Sequence, residues 1–60
     1  GQLDGDAHIE AKAVAPGWDT YYLEDEWRRW LGENEIEPNF PAKHFVKFCR
    51  SWFEKRGRPD

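Results

Sequence analysis

Methionine is missing from this 60-residue chain, cysteine occurs once, and no long apolar run interrupts the polar sequence. The single Cys49 excludes an intramolecular disulfide framework and fits a reducing compartment, so a cytoplasmic setting is expected. Nothing approaches the roughly 20 consecutive apolar residues of a membrane span, and no segment reads as a signal peptide. Catalytic constellations are equally scarce. His8 and His44 have no cysteine or carboxylate at metal-ligand spacing. Cys49 with His44 supplies two ligands on different helix faces, where a zinc site takes about four. A glycine-rich phosphate loop and a recognisable Ser/His/Asp set are both absent. Glu24, Asp25 and Glu26 are consecutive, point in different directions, and read as the solvated start of a helix. These absences argue against an enzyme, a metal, a cofactor or a small-molecule substrate.

What is present is aromatic. Hydrophobic residues make up 38% of the chain and aromatic ones 17%, with four Trp and four Phe. A chain this short buries only about 60% of its unfolded surface, which bounds it to one domain. A few large rings can close a core that many small side chains could not. The net charge of −3 conceals a segregation: residues 1–40 carry three bases against ten acids, whereas residues 41–60 carry six bases against two. Such asymmetry suits a polyanion-binding face at one end. It equally suits mutual attraction between an acidic and a basic helix, and the composition leaves both open.

The chain reads as an all-α, three-helix domain spanning 7–57, with a disordered N-terminal segment at 1–6 and a tail at 58–60. The first helix is predicted over 7–14, with Asp6 as N-cap and Ile9, Ala13 and Val14 facing inward. Pro16-Gly17 ends it. The second is predicted over 19–31. Asp19 caps it, Leu23, Trp27, Trp30 and Leu31 form one face, and Gly32 is the expected C′ residue. In "ENEIEPNF", Ile36 and Phe40 are expected to pin a loop to the core. The third helix is predicted over 41–56, with Pro41 in its first turn and Phe45, Phe48, Cys49, Trp52 and Phe53 on one arc. Cys49 on that arc reads as a buried, inert thiol. Gly57 and Pro59 then stop the helix.

Lys43, Lys47 and Arg50 project from the opposite side of the third helix, and Lys55, Arg56 and Arg58 extend the positive surface to the end. Rows of this kind hold nucleic-acid phosphates. Tyr22, off the apolar arc of the second helix and near Arg29, suits base stacking beside a backbone contact, and equally the anchor of a protein interface; the sequence leaves both open. Trp18, just before the Asp19 cap, is best read as a hydrophobic staple. Arg56-Gly57-Arg58-Pro59 has the look of a minor-groove AT-hook core, yet also of ordinary helix termination, and its place after an aromatic helix favours termination.

"APGWDTYYLEDEWRRWL" followed by a loop and "FVKFCRSWFEKRGRP" resembles the C-terminal helical module of plasmid and phage replication initiation proteins. More distantly it is similar to the DnaT-like domain of primosomal proteins. The resemblance covers roughly residues 11–59 and consists of aromatic spacings. It implies a DNA replication role: binding DNA, single-stranded by preference, or docking onto replication proteins such as a replicative helicase or an initiator subunit. It further implies Trp27, Trp30, Phe45, Phe48 and Trp52 as scaffold, and Arg28, Arg29, Lys47, Arg50 and Arg56 as phosphate contacts.

Overall fold

Three helices form the fold: α1 (Gly5–Val14), α2 (Thr20–Glu33) and α3 (Pro41–Arg56), in a computed structural model that describes residues 3–60. No strand occurs among the described residues, so the domain is all-α, as its periodicities predict. Differences from expectation lie at element ends and in which face of α1 points inward.

α1 starts two residues earlier than predicted. Asp4, not Asp6, is its N-cap, with a carboxylate oxygen accepting from the Ala7 N–H at 3.0 Å. Of the segment expected to be disordered, residues 1 and 2 lie outside the described residues, while Leu3 packs against the core. The inward face is Ala7, Ala11 and Ala15 rather than Ile9 and Ala13, and Ile9 is 69% exposed. Three alanines at i, i+4 and i+8 share one side of a helix. Their small size lets α1 lie close to α3, its principal partner, where Phe45 and Cys49 are fully buried. An isoleucine in that seam would hold the helices apart, so Ile9 turns outward. Val14 is half-buried and does pack on the core.

α2 begins as expected. Asp19 accepts from the N–H groups of Tyr21 and Tyr22 at 2.8 and 3.3 Å, and Leu23 and Trp27 are buried. Its end is different. Gly32 is inside the helix, which closes with Ile36 N–H donating to Leu31 O at 2.9 Å and Glu35 N–H donating to Gly32 O at 3.3 Å. This is the paired 6→1 and 5→2 pattern of a Schellman motif, whose C′ residue is left-handed. That residue is Glu35, with φ of 53°, at a position where glycine is the unstrained choice. Ile36 and Phe40 are 36% and 71% exposed, so neither pins the loop to the core. Backbone bonds at the helix end shape it instead, and Lys43 Nζ lies 5.7 Å over the Phe40 ring.

α3 matches its predicted bounds. Pro41 starts it without a side-chain cap, and Gly57, with φ of 69°, ends it by donating to Phe53 O at 2.7 Å. Trp18 then ties the end of α3 to the start of α2. Its indole N–H donates to Gly57 O at 2.6 Å, its ring stacks near-parallel on Tyr22, and it meets Trp52 edge-on. The staple expectation therefore covers half of its role. Beyond Gly57 the chain folds back beside the Pro16-Gly17 turn. A Cβ at Gly17, where φ is 90°, would stand 3.2 Å from Pro59 Cδ and 3.3 Å from Arg58 Nη1. The terminal Arg-Gly-Arg-Pro is helix termination packed on its own fold.

Candidate nucleic-acid interface

α2 and α3 run in opposite directions, because Tyr22 near the start of α2 meets Trp52 late in α3, and Trp30 late in α2 meets His44 and Phe48 early in α3. Their side chains leave a groove of about 660 Å³ between them. Its floor is a row of rings. His44, Trp30, Phe48 and Trp52 follow one another with centroids 5.9 Å apart at each step. Trp30, expected to be buried scaffold, is 39% exposed. It sits at the edge of the apolar arc of α2, so one side packs on Phe48 while the rest faces the groove.

The two walls differ in charge. On the α3 side stand Lys47, Lys55 and Arg56, and on the α2 side Arg29, Glu26 and Glu33. Arg29 is paired with Glu26 at 2.6 Å, although its side chain is 65% exposed, which makes the pair weak and easily exchanged. Arg56 lies with its guanidinium 3.6 Å over the Trp52 ring. Stacking on an indole holds the planar fork in place and leaves its N–H donors pointing outward. It also covers Trp52, so Trp30 is the ring of the floor open for stacking.

Of the nine residues singled out from sequence, four therefore meet around one groove, Arg29, Lys47, Lys55 and Arg56, while Arg28 is held by Glu24 at 2.8 Å outside it. Lys43 and Arg50 are exposed but turn to the far flank of α3, where with Lys47 they line a shallower depression that also holds Glu10 and Glu54. At about 100° per residue, Lys43 and Arg50 lie roughly a third of a turn from the helix face that His44, Ser51 and Lys55 present to α2. Tyr22 and Arg58 are outside the groove. Tyr22 belongs to the Trp18–Trp52 cluster, and Arg58 lies against Gly17.

Among the described residues, no carboxylate of α2 forms an ion pair with a cation of α3. Glu24 engages Arg28 and His8, and Glu26 engages Arg29. Among the described residues, no cation of α3 forms an ion pair. The positive charge along α3 is thus left to face solvent.

Sequence reasoning missed both histidines, because their partners are distant in the chain. Trp27, 1% exposed, donates its indole N–H to His44 Nδ1 at 2.9 Å. His8 bridges α1 to α2. Its Nε2 lies 2.7 Å from Glu24 Oε1 and its Nδ1 2.8 Å from Thr20 Oγ1, with Tyr21 stacked on the ring at 4.2 Å. A carboxylate only accepts, so Nε2 carries a proton. Burial by itself would raise the Glu24 pKa; the hydrogen bonds and charges of Arg28 and His8 outweigh it and hold the carboxyl below its usual value. Hydroxyl, imidazole and carboxylate in line have the order of a hydrolytic triad. Thr20 is buried, however, neither groove reaches it, and Asp19 already occupies the N–H groups of Tyr21 and Tyr22 that would stabilise an oxyanion. The chain of bonds is a strut between α1 and α2.

Two further groups bear on chemistry. Cys49 is fully enclosed, and burial pushes its thiol up to about 12, so it stays protonated and inert. Trp52 Nε1 is the one buried side-chain nitrogen or oxygen among the described residues without a hydrogen-bond partner. Among the described residues no group of three or more His, Cys, Asp or Glu is arranged to hold a metal ion, and no helix is long and apolar enough to cross a membrane. Compared with protein-family models, curated proteins and solved structures, the chain matches none.

Proposed function

We propose that this domain binds single-stranded nucleic acid, DNA in the first instance, in the groove between α2 and α3. The observation that carries this reading is that Lys47, Lys55 and Arg56 line one wall without a carboxylate partner, beside the exposed ring of Trp30. The charges fix the polarity of docking. Glu26 and Glu33 repel phosphates from the α2 wall, so the backbone tracks α3 and a base turns inward to stack on Trp30. Arg29 becomes available to a phosphate when its exposed pair with Glu26 opens. Base–aromatic stacking is worth about 1–3 kcal/mol per base and is available only where bases are unpaired, which favours a single strand over a duplex.

The resemblance to replication initiation modules supports the same reading and adds a context, an accessory domain of a plasmid or phage replication protein. Net negative charge elsewhere on the domain keeps its affinity modest and confines binding to the groove. The test is a titration of a labelled single-stranded oligonucleotide with the 60-residue domain at low and at high salt. Three phosphate contacts predict a slope of about −2 in log K against log salt concentration. No binding at low salt would contradict the proposal.

A further inference from the structure

The floor of the groove contains a hydrogen-bond donor whose identity is fixed from behind. The Trp27 indole N–H can only donate, so the His44 Nδ1 it meets at 2.9 Å must accept. Neutral imidazole then carries its proton on Nε2. Among the described residues nothing accepts from that Nε2–H, the atom is not enclosed, and His44 lines the groove, so the donor is free for a ligand bound there. An unrestrained histidine could exchange tautomers and offer a lone pair instead. Here the exchange would strand the buried indole N–H of Trp27, so the groove sees a donor and not an acceptor.

We infer that His44 is the specificity-determining residue of the groove, favouring a base that presents a carbonyl oxygen, such as thymine or guanine, over adenine. The inference rests on the single-strand reading of the groove. A base laid on Trp30 lies beside the imidazole, since the two rings are 5.9 Å apart. Thymine O4 and guanine O6 accept from an N–H at the place where adenine carries its exocyclic amino donor; adenine's ring acceptors lie to the side of that position, so to be bound it must shift on Trp30.

The experiment compares oligo-dT with oligo-dA of equal length on the wild-type domain and on His44→Asn. Asparagine keeps an amide oxygen for Trp27, while its NH2 ends at about the place of the imidazole Cδ2 and so stops short of the Nε2 position. The wild type is expected to favour oligo-dT, and the ratio of the two affinities should fall about fivefold in the variant, the size of one neutral hydrogen bond. An unchanged ratio with both oligonucleotides still bound overturns the inference but leaves the groove reading standing. Failure of the wild type to bind either one overturns both. Should the variant not fold, nitrogen–proton correlation spectra of the wild-type imidazoles decide. Oligo-dT should shift and protect the Nε2–H resonance of His44 and oligo-dA should not, and equal response to both overturns the inference.

Discussion

Trp27 and His44 form the polar contact on which the α2–α3 seam most depends, because the indole is almost completely buried and has one acceptor. Removing an acceptor from a buried donor costs about 1–3 kcal/mol, more than the net worth of the bond. His44→Ala should lower stability by that amount in a urea or thermal unfolding curve, and His44→Asn by clearly less. Equal losses would show that packing of the ring matters and the bond does not. Glu24 sets the acid limb. Its pKa is held below the usual carboxylate value in the folded chain, so its contribution is complete above the unfolded pKa and is lost as pH falls through the folded one. Glu24→Gln should therefore reduce stability at neutral pH and flatten its decline on acidification, as read from unfolding midpoints across pH 2–7. A variant with the wild-type slope would exclude Glu24 as the source.

At the scale of elements, the end of α2 holds two backbone costs that can be removed without touching the groove. Gly32 is an exposed helical residue at which an added Cβ meets nothing within 4 Å. Gly32→Ala should raise stability by about 0.5–1 kcal/mol. Glu35→Gly should relieve the left-handed residue of the Schellman motif and add up to about 1 kcal/mol. In a domain of this size each corresponds to a rise in Tm of about 4–8 °C per kcal/mol, and a fall in either variant would contradict the assigned helix end. The same helix end shows where sequence patterns are silent: glycine is the usual C′ residue, so Gly32 marks a stop that the chain in fact passes, and a glutamate takes the left-handed position. α3 was legible at both ends because Pro41 and Gly57 punctuate it and its large apolar residues recur at helical spacing. α1 was legible as a helix but not in its orientation. Alanines carry little hydrophobic signal, and what selects Ala7, Ala11 and Ala15 is the closeness of α3, a property of the pair and not of the segment.

For the whole molecule, the cations of α3 could be read from the chain, but their division between two flanks could not. That division follows from which side of α3 turns toward α2, and the same rotation leaves Trp30 partly open and places His44 on the groove floor. The central claim is accordingly about a face, and charge reversal on the two flanks tests it most directly. Single-stranded oligonucleotide affinity would be measured for Lys47→Glu/Lys55→Glu and for Lys43→Glu/Arg50→Glu, which alter net charge identically. The groove pair should lose affinity by about tenfold or more at low salt, while the outer pair, which feels only the long-range field, should lose about threefold or less. Equal losses, or a larger loss from the outer pair, would contradict binding in the groove.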